Sequence, residues 1–219
     1  MRFTKIAAVL GAMGLVALAG PAMAAPPYTV AIGGSTATQN AAYTAASQGN
    51  GIEFVAHNGA NDVEMACTSV TASGVIQGGT STSGDIADIA STTWSGCTGP
   101  LGLSLAVDQL PVGSGSTPWD IVATGAATSS ASDVVTGYVD GVGVRVTSTN
   151  PFIPCTFTVT GSADASFDEA GQDLDVNETS GNLLITGVSG CLGLIANGNT
   201  ADFVGGFDVT VPAGAVNIQ

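Results

Sequence analysis

One histidine, four cysteines and seventeen carboxylates are the residues of this 219-residue chain whose types could do chemistry. His57 stands in Ala56-His57-Asn58-Gly59-Ala60-Asn61-Asp62, whose polar and glycine content predicts a loop. A Ser-His-Asp hydrolase needs such an imidazole beside a serine on a sharp elbow. No Gly-x-Ser-x-Gly occurs, and serines are too plentiful for one to stand out. His57 is therefore expected as an exposed loop residue, and no catalytic residue is assigned. Among Cys67, Cys97, Cys155 and Cys191 no two lie within four residues of each other, and one histidine cannot complete a zinc tetrad. An even number of cysteines in an exported chain points to disulfides, which also removes them as nucleophiles.

The densest carboxylate cluster comprises Asp164, Asp168, Glu169, Asp173, Asp175 and Glu178. Asp173-Leu174-Asp175-Val176-Asn177 matches the opening of a calcium loop, but Glu178 then stands where the loop needs Gly, and Leu184 where it needs a bidentate Glu. A strand with one wet face explains the alternation better. Whether segment 164–178 holds a metal stays open at this level, and no cofactor is expected. Two facing carboxylates roughly 5 to 9.5 Å apart would suffice for glycan hydrolysis. Sugar platforms are scarce, however: beside Phe there are only Trp94, Trp119, Tyr28, Tyr43 and Tyr138. Trp119 is expected to enter a strand as a core plug and Trp94 to pack on a disulfide. Arg145 falls on the polar face of a strand, placed to pair with a carboxylate. The sequon Asn177-Glu178-Thr179 carries no assigned role.

Arg2 and Lys5 precede an apolar run from Ile6 to Gly20, and Ala22-Met23-Ala24 supplies the small residues of a signal-peptidase site. Residues 1–24 read as a signal peptide cleaved after Ala24. Pro21 stands where a lipoprotein signal would place its cysteine, and no later segment is long and apolar enough for a spanning helix. A secreted, extracellular protein without membrane insertion is expected. Cleavage leaves Arg145 as the one cation against all the carboxylates, so nucleic-acid binding is excluded. A cell-envelope partner or self-association is compatible with this surface.

The elements that must carry these residues read as strands. Leu101, Leu103, Leu105 and Val107 alternate with small or polar residues, as do Cys155, Phe157 and Val159, and Val142, Val144 and Val146. Glycine-rich clusters at 78–84 and proline at 111 and 118 break the chain between them. Ala37 to Ser47 alone has modest helical character. Residues 25–219 are expected as a single domain, all-β, an antiparallel sandwich or closed barrel.

Ser95-Gly96-Cys97-Thr98-Gly99 recurs as Ser189-Gly190-Cys191-Leu192-Gly193, and Cys67-Thr68 recurs as Cys155-Thr156. Two similar halves, about 63–125 and 151–212, are the reading of this pattern. Symmetry allows bridges within each half or between equivalent cysteines. Bridges Cys67–Cys97 and Cys155–Cys191 are favoured because each would staple a strand-turn-strand segment.

These cysteine motifs, with Pro100-Leu101-Gly102-Leu103, the Pro118-Trp119 step and the ending Val209-Thr210-Val211-Pro212, resemble a group of secreted four-cysteine β-proteins of actinobacteria. A fainter likeness, in Thr/Gly/Cys style alone, is to secreted activators of alkane oxidation. The resemblance implies export and an all-β fold and carries no catalytic or ligand residue across. The function expected is a non-enzymatic structural or interaction protein of the bacterial cell exterior. The alternative is a carrier of an apolar small ligand, lipid or hydrocarbon, in a barrel cavity, and a carboxylate-based glycan hydrolase ranks third.

Overall fold

Period-two alternation runs through almost every segment of the chain, and a computed structural model converts it into strands. The structure describes residues 27–49, 51–59, 61–111 and 118–219. The signal peptide expected at 1–24 and its cleavage site after Ala24 lie outside the described residues. Thirteen strands form among the described residues: β1 (Tyr28–Ile32), β2 (Gln39–Ser47), β3 (Ile52–Asn58), β4 (Asn61–Cys67), β5 (Ser69–Ser81), β6 (Asp85–Ser95), β7 (Leu105–Gln109), β8 (Trp119–Ala123), β9 (Val134–Ser148), β10 (Cys155–Asp168), β11 (Asp173–Gly190), β12 (Thr200–Thr210) and β13 (Val216–Ile218). Every pairing between them is antiparallel. No described helix is long and apolar enough to cross a membrane.

The pairing closes on itself. From β5 it runs through β6, β8, β9, β10, β11 and β12. Strand β2 then pairs β12 over residues 44–47 and β5 over residues 39–46, which completes a ring of eight strands. A second circuit shares β9 to β12. Residues 200–204 of β12 pair β3, and β3 pairs β4. Ala66 of β4 exchanges both backbone hydrogen bonds with Thr98, Leu105 N donates to Cys97 O, and β7 returns to β9. Closure leaves few unpaired edges, the liability of any open sheet.

The expected alternations meet in one core, in which Phe157 and Val159 of β10, Val144 and Val146 of β9, and Leu174 and Val176 of β11 are buried. Two segments depart from expectation. Residues 39–47 form β2, not a helix, because Ala41, Tyr43 and Ala45 bury one face while both backbone edges are taken by β5 and β12. Weak helix propensity yields to that tertiary pairing. The run from Leu101 to Val107 becomes a strand only at Leu105. Pro100 to Gly102 make a single 3-10 turn, with Leu101 at φ 60 and its side chain 89% exposed. Pro100 has no N–H to give a ladder, which is a local reason for the turn.

Both favoured disulfides are present, Cys67–Cys97 and Cys155–Cys191. The first spans the β5–β6 hairpin and the second spans β10–β11, so each bridge ties the open end of a long hairpin.

Candidate binding cavity

The ring's inward side chains leave a cavity of about 100 Å³. Both circuits contribute to its wall: Tyr43 from β2, Phe54 from β3, Met65 from β4, Trp94 from β6, Val144 from β9 and Leu183 from β11 are among the lining residues, and no polar atom contributes surface to it. Trp94 meets Phe203 edge-on, ring centroids 6.0 Å apart, and Phe54 stacks on Phe157 at 6.5 Å. Trp119 opens β8 and is 6% exposed, the core plug its context predicts. Tyr43 Oη and Trp119 Nε1 are buried without a hydrogen-bond partner. Burial, and secondarily the charge of Asp88, raises the Tyr43 pKa well above the ordinary tyrosine value. A smaller space of about 40 Å³ lies beyond Tyr43 and Leu174, which line both.

A second, groove-like space of about 200 Å³ sits at the cysteine-turn end of the ring. Met65 and Leu105 line both this groove and the inner cavity, and so form the partition between them.

The remaining candidates serve the framework. His57 lies in β3, not in a loop, because the β3–β4 hairpin extends through it. Its Nδ1 is 2.8 Å from Asp62 Oδ1 and its Nε2 2.9 Å from Asp202 Oδ1. The hydrogen bonds to Asp62 and then Asp202 raise its pKa. With both nitrogens occupied the ring has none to offer a substrate, and it ties β3 to β4 and β12. Arg145 faces Asp108 and Thr158 across the ladder, with no ion pair within 4 Å among the described residues. Tyr138 is half-buried opposite Val122 and Asp164, and Tyr28 donates its hydroxyl to Gly125 O at 2.6 Å.

The acids of 164–178 disperse. Asp168 Oδ1 accepts Ala170 N in the β10–β11 turn. Glu169 is buried and accepts from Asn217 Nδ2 and Ile218 N, which fastens β13; burial raises its pKa despite those bonds. Gln48 Nε2 bridges Asp173 and Asp208. Asp164 Oδ2 accepts from Ser180 Oγ.

Glu178 is the residue that sequence reasoning misplaced. It has no exposed surface and accepts from Asp164 N, Ser180 N, Asn182 N and Asn182 Nδ2 at 2.8 to 3.1 Å. Burial pushes its carboxyl up, and these bonds more than reverse the push, leaving the pKa lowered. Among the described residues no three metal-ligating side chains converge. No carboxylate lines the inner cavity, the smaller space beyond it or the outer groove.

Comparison of the chain with protein-family models, with curated proteins and with solved structures returned no match.

Proposed function

We propose that this is an exported, non-enzymatic binding protein that holds a small apolar molecule inside its closed ring. The observation that carries the reading is the cavity wall, which is built from every strand of the ring and offers no polar atom. Native cores are packed at crystal-like density, and an apolar void costs about 24 cal/mol per Å³, or about 2 kcal/mol here. An occupant removes that cost. An engineered apolar cavity of about 150 Å³ in another protein stays dry and takes up benzene, so this space suits a single ring or a few carbons.

The outer face supports a water-exposed role. Asp173, Asp175 and Asn177 point outward from β11 while Leu174 and Val176 point inward. A membrane-spanning barrel has the opposite polarity. The two disulfides and the acidic surface accord with secretion, and the matched hairpins behind Cys67–Cys97 and Cys155–Cys191 accord with a duplicated unit. This reading takes up the alternative, ligand carriage, in place of the structural or interaction role expected first.

Thermal unfolding in benzene-saturated and plain buffer tests the proposal, with methyl spectra of the cavity residues as the second readout. Binding to the folded state alone raises Tm and shifts the methyls of Val144 and Leu183. An unchanged Tm with unchanged methyl positions, in benzene and under xenon pressure, overturns it.

A further inference from the structure

The cysteine-turn end of the ring carries large apolar side chains in water. Leu101 is 89% exposed, Leu192 68% and Phe152 91%. Leu101 and Leu192 line the outer groove, and Phe152 lies between its lining residues Asn150 and Ile153. Each leucine sits in a 3-10 turn close after a bridged hairpin, Leu101 in Pro100–Gly102 beyond Cys97 and Leu192 directly after Cys191, and each is left-handed, at φ 60 and φ 53. That conformation is strained for a non-glycine residue, whose Cβ crowds the carbonyl oxygen that follows. Here it holds a leucine out of the core.

This end pairs those exposed apolar side chains with an uncharged rim. Segments 94–107, 146–163 and 179–201, which supply most of the groove, contain no Asp, Glu, Lys or Arg. Asp62 and Glu64 of β4 flank the groove residues Val63 and Met65 in sequence but lie on the opposite, exposed face of that strand. The acidic protein as a whole is repelled from anionic surfaces. An uncharged end that carries three exposed large apolar side chains is matched to an uncharged lipid interface, where apolar side chains with polar flanks insert shallowly.

We propose that Leu101, Leu192 and Phe152 form the contact by which the protein docks on a neutral lipid surface, with the groove behind them leading to the cavity past Met65 and Leu105. The proposal rests on the apolar-ligand reading for its purpose, because small apolar molecules concentrate in lipid. Its geometry is independent of that reading.

The test is flotation of the purified, disulfide-bonded protein with phosphatidylcholine vesicles, beside a variant carrying Leu101→Asn, Leu192→Asn and Phe152→Ser. All three side chains are exposed, so the core is untouched, and an unchanged Tm verifies folding. The parent is expected to float with the vesicles, and the variant to need at least tenfold more lipid for the same bound fraction. Vesicles half phosphatidylglycerol should bind the parent more weakly. Parent protein left in the soluble fraction at millimolar lipid, or a variant bound equally well, overturns the proposal. A parent dimer that the substitutions dissociate also overturns it, by assigning this face to a second copy. Benzene binding in lipid-free buffer, measured on both proteins, separates the two ideas: the cavity reading fails if neither binds benzene, whatever the vesicles show.

Discussion

At the residue scale the most informative side chain is Glu178. Its parity with Leu174 and Val176 shows that it points inward, and that parity was legible in the sequence. What hid it was the habit of reading a carboxylate as solvated, while the strand alternation was read only as far as Asn177. An inward carboxylate is tolerable only when its lone pairs are used, and here the β11 irregularity at 178–183 turns N–H groups toward it. Gly161 on the facing strand makes the approach possible: it sits at φ +149, and a Cβ there would lie 2.1 Å from Asn182 O. Glu178→Gln presents an amide to N–H donors and should cost about 2–3 kcal/mol, measured by urea unfolding; a loss below 0.5 would mean the carboxylate holds nothing. Because its pKa is lowered on folding, the stability from Glu178 is present above its unfolded value near 4.5 and drains away as pH falls through the folded one. His57 has the opposite sense. Its pKa is raised from about 6.5 by the Asp62 and Asp202 hydrogen bonds, so its contribution is complete below 6.5 and is lost as pH climbs through the folded value. The parent should lose stability as pH rises from 6.5 through the folded value, and His57→Asn should flatten that slope; parallel profiles would show that the imidazole titrates as it does in the unfolded chain.

At the element scale the hairpins and their bridges were readable because local information suffices for them. Alternation gives each strand, glycine clusters give the turns, and the strand-turn-strand spacing within each half favours the sulfur pairing that forms over the cross-half one that symmetry also allowed. The second half of the closure was not readable. Strand β2 pairs β12 across more than 150 residues of chain, and no local pattern in Gln39–Ser47 announces it; its alanines read as helix formers until both edges are taken. The turn at Pro100 to Gly102 was misread for a related reason, since Leu101 keeps the alternating parity of a strand while its backbone leaves the ladder. The two bridges do different work. Cys67–Cys97 sits beside the Ala66–Thr98 pairing, which carries the second circuit from β4 toward β7, whereas Cys155–Cys191 closes a hairpin that β9 and β12 already flank. By the chain-entropy account each contributes about 3–4 kcal/mol. Replacing either pair by serine should therefore cost similar stability, yet only Cys67→Ser with Cys97→Ser should speed hydrogen exchange at Ala66 N and Thr98 N well beyond the global opening rate. Equal acceleration at those amides in both double variants would show that the second circuit does not depend on its neighbouring bridge.

At the scale of the whole molecule, the closed pairing fixes the perimeter, and the perimeter decides how much side chain the interior needs. A ring of eight strands has an interior just wide enough for side chains to fill or to hold one small ligand. This chain has few aromatic residues, and it lines much of the seam with alanine: Ala45 of β2 lies opposite Ala72 of β5 and Val209 of β12. Small residues at the closing seam leave the void, and Ala45 and Ala72 both border it. The low aromatic content was visible from the start, but its consequence depends on the closure, which was not. Ala45→Leu adds three carbons toward a space of about 100 Å³, so it should fill much of the cavity rather than overpack the wall. The expected result is a gain of about 1–2 kcal/mol in stability together with at least a tenfold loss of benzene affinity, read by urea unfolding and by the benzene-induced Tm shift on the same preparation. Destabilisation with benzene binding intact would place the cavity away from the seam. Gain and loss appearing together would mean that stability and ligand draw on the same space, the behaviour expected of a protein whose core is left incomplete for a guest.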